Sequence, residues 1–418
     1  MIDNLSLRNL HNSTTFTDNM KLPVHRWFRY SAGFSSELVK VLAKSWNSKH
    51  ILDPFGGSGT TNLAAQELGI KAYSFDVQPV IARVAKAKFS WDIDTNDFLN
   101  RAYIIAKKSQ LRTSVLRPSS ELIYKCFPDT EVLDSLLKLR DEVFSCNSGD
   151  NCSRVLWLAF LSIIRSVTPA GTAQWQYVLP NKKKKKVEEP ISAFLKRCDL
   201  FAEDIKTRRE MISSPASEID ILTSDARILD GVDDNWADTV ITSPPYANNY
   251  DYADTTRLEQ IVLGEINGWS DLKPLRNILI KSATQNVGRW KSEDFLYSKE
   301  LNPICNELSL VWNKLSEIRK TKGGSKNYHS MVTGYFYDNS QVFDSLRKKT
   351  TRGANICYVV GDSAPYGVHV PVERWLGELA LASGFKEWSF TKVRDRNTKW
   401  KNRKHTHPLH EGYLWIKG

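Results

Sequence analysis

Asp53-Pro54-Phe55-Gly56-Gly57-Ser58-Gly59-Thr60-Thr61 follows the short apolar run His50-Ile51-Leu52 and leads into Asn62-Leu63-Ala64-Ala65-Gln66-Glu67-Leu68, which reads as strand, Gly-rich turn and helix. Glycine suits such a turn because a missing Cβ permits positive φ and lets backbone approach a ligand, while the helix start presents unpaired N–H groups. Downstream, Lys71-Ala72-Tyr73-Ser74-Phe75-Asp76 reads as a second strand ending in an acid, placed to accept ribose hydroxyl bonds at a strand carboxyl end. The turn and the spaced acid together point to a cofactor cradle in a doubly wound α/β domain.

Asp53-Pro54-Phe55-x-Gly57-Ser58-Gly59-Thr60 resembles the S-adenosylmethionine-binding motif of the exocyclic-amino DNA methyltransferases, which modify adenine N6 or cytosine N4. Far downstream, Thr239-Val240-Ile241-Thr242-Ser243-Pro244-Pro245-Tyr246 resembles that family's catalytic strand end, and Ala247-Asn248-Asn249-Tyr250-Asp251-Tyr252 extends the likeness. Two separated motifs in one chain identify a family far better than either alone. The strand Ile219-Asp220-Ile221-Leu222, followed by Asp225-Ala226-Arg227, is similar to the family's third cofactor motif, whose acid meets the adenine amino group.

The resemblance implies S-adenosyl-L-methionine as cofactor, double-stranded DNA as substrate and a cognate restriction endonuclease as partner. The fold it implies is α/β: a Rossmann-like methyltransferase fold with a mostly parallel sheet, a terminal antiparallel hairpin and, here, a helical insertion. Cofactor contacts are expected from Asp53, Pro54, Phe55, Gly57, Ser58, Gly59, Thr60, Asp76 and Asp225, and from Phe34 in the segment that closes over the methionine end.

An exocyclic amine is a poor nucleophile because its lone pair is delocalised into the ring, so catalysis must localise that pair and align it with the sulfonium methyl. In the family pattern the side chain of the first motif residue and the next proline's carbonyl accept the amine protons; here these are Ser243 Oγ and the Pro244 carbonyl. Pro244 and Pro245 fix φ and remove N–H donors, leaving a stiff turn. Tyr246 would stack on a base that has left the duplex. Asp or Asn stands first in adenine N6 enzymes and Ser in many cytosine N4 enzymes, so Ser243 tilts the reading toward cytosine N4, with adenine N6 as the alternative. Two further readings compete: methylation of an RNA guanine amino group by related enzymes with an Asn-Pro-Pro-Tyr motif, and a non-catalytic DNA-binding subunit. Ser243 with the 248–252 extension argues against the first, and intact Ser243 and Tyr246 argue against the second.

At 418 residues the chain has room for a large core and a smaller one, and its net charge of +11 favours a polyanionic partner. Six cysteines lie scattered with no CxxC pair, which fits a reducing cytoplasm and indicates neither a zinc site nor a disulfide framework. The first residues lack the apolar core of a signal peptide, and no run approaches about 18 apolar residues, so no membrane contact is expected. His405, His407 and His410 stand beside Lys401, Arg403 and Lys404 with no carboxylate at ligand spacing, so no metal is expected.

Residues 1–22 read as a loose N-terminal arm, and 23–91 with 217–418 as the catalytic domain, cofactor half first. The segment 92–216 is too long for an ordinary connection and reads as a helical insertion with helices at 130–144, 153–167 and 190–212. Within it Gln174 and Gln176 suit adenine edges, and Lys182, Lys183, Lys184, Lys185 and Lys186 suit backbone phosphates. Arg394 and Arg396, in a basic cluster between the last two strands, are further phosphate candidates, and 267–335 is a second candidate recognition region.

Overall fold

The computed structural model describes residues 13–173, 176–212, 219–248, 250–288, 290–322, 326–396 and 407–418. Its centre is a seven-stranded sheet. β1 (His50–Asp53), β2 (Lys71–Phe75), β5 (Ile219–Leu222), β6 (Ala237–Thr242), β7 (Thr350–Gly361), β8 (Glu387–Arg396) and β9 (Leu409–Lys417) take the order β5-β2-β1-β6-β7-β9-β8, while β3 (Ala170–Thr172) and β4 (Val178–Lys183) form a separate hairpin. Strands β5 to β7 along that order pair parallel, and β9 pairs antiparallel with both β7 and β8. This is the Rossmann-like sheet with a terminal hairpin that the motifs imply. Because β1 and β6 are neighbours, the Gly-rich turn and the Ser-Pro-Pro-Tyr segment leave the sheet side by side at strand carboxyl ends, where open α/β sheets bind ligands.

Apolar runs in β1 and β6 are buried on both faces, as parallel strands between helical layers require. One layer contains the helices Tyr328–Lys349 and Val372–Ala382, whose Tyr335, Phe336, Phe343, Trp375 and Leu376 share a core with Leu52, Val240 and Ile356. The other joins Pro79–Phe89 to the helices of the insertion, Thr95–Leu111, Thr130–Ser145, Asn151–Ile163 and Pro190–Met211. Each of these four insertion helices opens on an acid, Asp94, Asp129, Asp150 or Glu189, that accepts first-turn N–H bonds, a cap worth about 0.5–2 kcal/mol. The insertion therefore packs as part of the same core as the cofactor half.

Three expectations change. Residues 13–22 are packed rather than loose: Ser13 accepts from the Ser35 N–H at 2.9 Å, and Asn19, buried, donates to the Phe34 carbonyl and accepts from the Ser36 N–H, both at 2.9 Å. The lysine stretch begins on a strand, since β4 runs through Lys183. The helix expected to 167 stops at Ile163, where Ser166 and Val167 fold back onto the Ile163 carbonyl ahead of Pro169, whose ring disfavours helix before it. In the described part of 267–335, the second candidate recognition region, Leu301, Ile304, Leu308, Leu315 and Met331 belong to the core over β6 and β7.

Candidate functional site

A cavity opens at the carboxyl ends of β1, β2, β5 and β6. The Gly-rich turn forms its floor. Gly57 (φ +52°) and Gly59 (φ +84°) hold left-handed conformations that favour glycine, and a Cβ on Gly57 would meet Tyr30 Cε1 at 2.6 Å. The helix Thr60–Glu67 then starts at the cavity, directing unpaired N–H groups toward it.

Of the sequence-derived cofactor residues, Phe34, Pro54, Phe55, Gly57, Ser58, Thr60, Asp76 and Asp225 line the cavity. Asp76 follows β2 and accepts from the Gln78 N–H at 2.8 Å; burial pushes its carboxyl up to about 7, against the opposing pull of the Gln78 and Gly57 N–H groups. Asp225 lines the wall but is already held by Arg227, with Nη2 2.5 Å from Oδ2, so the expected free acid is an ion-paired one. Asp53 needs a larger correction. It is 1% exposed and lies behind the turn, accepting from Thr61 Oγ1 at 2.6 Å, Thr242 Oγ1 at 2.5 Å and the Phe55 N–H at 3.0 Å. Desolvation pushes its carboxyl up to about 6, which those three donors partly offset. Its position ties the Gly-rich turn to β6 instead of touching a ligand. Gly59 also sits behind the wall, against Phe89 and Ala85.

Ser243 and Pro245 line the opposite side, with Pro244 between them. The Ser243 hydroxyl donates to the Val359 carbonyl of β7 at 3.2 Å, which fixes its hydrogen away and leaves oxygen lone pairs as acceptors. Tyr246 is only 9% exposed, and the Arg396 guanidinium lies over its ring at 5.0 Å, so the ring expected to receive a base already carries a cation. Arg396 is fixed there by its bond to the Asp362 carbonyl at 2.9 Å, and Arg394 pairs with Glu411 at 2.9 Å. Both arginines, read from sequence as phosphate contacts, are thus engaged within the sheet end.

Gln176 turns inward as well, bonding the backbone of Arg29 and Ser31. Lys182, Lys183, Lys185 and Lys186 are exposed, whereas Lys184 reaches the Arg165 carbonyl and is half-buried, which lowers its pKa. Gln174, His405 and most of the basic cluster after Arg396 lie outside the described residues. His410 lies between two carboxylates that spacing could not reveal, Nδ1 3.2 Å from Asp362 and Nε2 3.4 Å from Glu373. These three donors fall within 4.8 Å of one another, but both His410 nitrogens already face an acid.

Sequence reasoning missed Tyr30, Gln78, Ser224, Tyr252, Thr255 and the Ile278–Ile280 segment, all of which line the cavity. Tyr30 and Tyr252 stand inside stretches marked for other reasons, and Gln78 follows Asp76 as the cap of the helix Pro79–Phe89. Ile278, Leu279 and Ile280 carried no signal, since only the fold brings them over Asp225.

A family model described as DNA methylase matches residues 6–87. The Type II methyltransferase M.BsoBI of Geobacillus stearothermophilus is 28% identical over 415 residues, covering 89% of this chain and 80% of its own. The Type II methyltransferase M.AvaI of Nostoc sp. is 24% identical over 413 residues, covering 89% and 81%. The Type II methyltransferase M.MvaI of Kocuria varians is 24% identical over 252 residues, or 55% of each chain.

Proposed function

We propose that the chain is an exocyclic-amino DNA methyltransferase, as its likeness to a DNA methylase family model and to Type II methyltransferases supports, and that it methylates cytosine N4 at a specific DNA site with S-adenosylmethionine as donor. The cavity suits that donor: a glycine turn at its floor, the apolar Phe34 and Ile81, and the carboxylates of Asp76 and Asp225 for hydroxyl and amino groups. The donor, when bound, supplies an electrophilic methyl on a sulfonium sulfur. Asp76 would accept ribose hydroxyl bonds, and Ser58 and Thr60 with the helix N–H groups would hold the polar end.

The observation that carries the cytosine reading is Ser243. Ser243 lines the cavity, and with its hydrogen on the Val359 carbonyl its oxygen would meet an amine N–H as an acceptor. Drawing on the two N–H bonds, Ser243 Oγ and the Pro244 carbonyl would localise the nitrogen lone pair and aim it at the methyl; the surplus proton leaves to solvent once the N–C bond has formed. A target base reaches this turn only after leaving the duplex, and Arg396 must withdraw from Tyr246 if that ring is to stack on it. Exposed Lys182, Lys183, Lys185 and Lys186 supply phosphate contacts, and an endonuclease of the same specificity is the expected partner.

DNA from a host expressing the protein should carry N4-methylcytosine at one recurring sequence when read by modification-sensitive sequencing. Methylated adenine at that sequence, or no added base at all, overturns the proposal.

A further inference from the structure

The hairpin of β3 and β4 reaches the cavity from outside. In its turn, Gln176 brackets Tyr30: Oε1 accepts from the Ser31 N–H at 2.9 Å and Nε2 donates to the Arg29 carbonyl at 2.8 Å. Tyr30 is the wall residue whose ring occupies the space left by the missing Gly57 Cβ. The next residue is held the other way. The Tyr177 hydroxyl accepts from the Asp251 N–H at 2.5 Å, and its ring meets Tyr250 edge-on at 6.4 Å. Tyr250 in turn lies 4.4 Å from Tyr252, which lines the cavity. Arg165 fixes the turn from beneath, donating to the Gln176 carbonyl at 2.5 Å and to the carbonyl of the wall residue Thr255 at 2.7 Å while pairing with Glu259.

Two consecutive side chains thus grip two segments of the wall of one cavity, although neither lines it. Gln176 does so at φ +63°, a left-handed conformation that a side chain other than glycine holds only when its surroundings enforce it. The same hairpin carries Lys182 and Lys183 on β4: Lys183 pairs with Ala170 of β3, Leu179 and Val178 pair with Gly171 and Thr172, and a bulge lies between the two stretches. β4 is thus held to β3 on either side of the bulge, at Lys183 and at Leu179 and Val178 beside the turn, so the lysines and the turn belong to one short strand.

We infer that Gln176 and Tyr177 are positioning residues through which the lysine hairpin sets the closure of the cavity, so that DNA held by the hairpin tightens donor binding. The inference rests on reading the cavity as the donor site and the lysines as DNA contacts. Gln176 holds backbone on both sides of Tyr30, so moving the hairpin moves Tyr30 against or away from Gly57; Tyr177 carries the same motion to the 250–252 loop. By linkage, bound donor tightens DNA to the same degree.

Calorimetric titration of the full chain with S-adenosylhomocysteine, with and without unmethylated plasmid DNA, tests this. The wild type should bind several-fold more tightly when DNA is present. Gln176→Met, which keeps length and removes both bonds, and Gln176→Ala should weaken binding about tenfold without DNA and abolish the gain with it. In turnover both should raise KM for the donor while kcat at saturation stays at the wild-type level, and the melting temperature should hold. Tyr177→Phe keeps the ring, loses the acceptor and should show a smaller version of the same split. Wild-type affinity in Gln176→Met, a wild type indifferent to DNA, or a fall in kcat matched by a fall in melting temperature overturns the inference. A wild type that binds no S-adenosylhomocysteine overturns the donor-site reading, and the inference with it.

Discussion

On the proposed reading, the donor side of the cavity draws Pro54, Phe55, Gly57, Ser58, Thr60 and Asp76 from one continuous stretch spanning β1 to the end of β2, whereas the acceptor side assembles Ser243 and Pro245, Tyr252 and Ile278–Ile280 from separate segments. The donor side is shaped by backbone: positive-φ glycines, a helix start and an acid at a strand end. The acceptor side is shaped by side chains oriented from afar, with Ser243 set by Val359 and Tyr246 covered by Arg396. Substitutions on the first side should change binding, and substitutions on the second should change rate. Asp53 belongs to both, because its carboxylate joins the turn after β1 to Thr242 at the end of β6.

The largest effect is expected where the two sides meet. Asp53→Ala leaves the Thr61 and Thr242 hydroxyls and the Phe55 N–H without their buried partner and should cost about 3–5 kcal/mol of stability in denaturant unfolding. A loss under about 1 kcal/mol would mean that the two sides are held together by other contacts.

On the acceptor side, Ser243→Ala should slow single-turnover methyl transfer by about 10²-fold and leave donor affinity unchanged, since the Pro244 carbonyl remains as one acceptor. A matching loss of donor affinity would erase the distinction between the sides. On the donor side, Asp76→Ala should weaken S-adenosylmethionine binding by about 1.5–3 kcal/mol in titration calorimetry with little change in saturated rate.

Asp76 also gives the donor side a pH signature. Its carboxyl, pushed up to about 7 when folded, holds a proton more tightly than in the unfolded chain. The associated stabilisation is full below about pH 4 and is lost as pH rises through about 7. Asp53, pushed up to about 6, acts in the same direction. Measured by unfolding from pH 4 to 8, the stability of the wild type relative to Asp76→Asn should fall as pH rises; a difference that does not change with pH would remove Asp76 from the account.

The smallest effect concerns neither wall. Replacing Lys182, Lys183, Lys185 and Lys186 by Ser should make the slope of log K against log salt shallower by about 0.9 for each phosphate no longer neutralised, without changing sequence preference. Lys184 is left in place because it serves the Arg165 carbonyl.

The same contrast explains what the sequence makes legible. The Asp53–Thr61 turn, the acid at Asp76 and the proline turn at 243–246 are local patterns, because glycine, proline and strand-end acids act through φ, ψ and adjacent N–H groups. The mostly parallel sheet with its terminal hairpin was implied by the resemblance those motifs carry, whereas the strand order came only with the structure. Asp53 was misassigned because a motif gives a position and not a direction, and its three partners include Thr242, far along the chain. Arg394 and Arg396 looked like solvated cations until Glu411 and the Asp362 carbonyl were brought beside them. Gln176 carried the right chemistry for a base edge, yet its amide is spent on the backbone around Tyr30. Long-range pairing of this kind has no spacing to read.

The most direct test of the account is single-turnover methyl transfer to unmethylated duplex DNA, with the product digested and its nucleosides identified by mass spectrometry for the wild type and Ser243→Ala. The account predicts N4-methylcytosine from both, formed about 10²-fold more slowly by the variant. N6-methyladenine from the wild type, or an undiminished rate in Ser243→Ala, would contradict it.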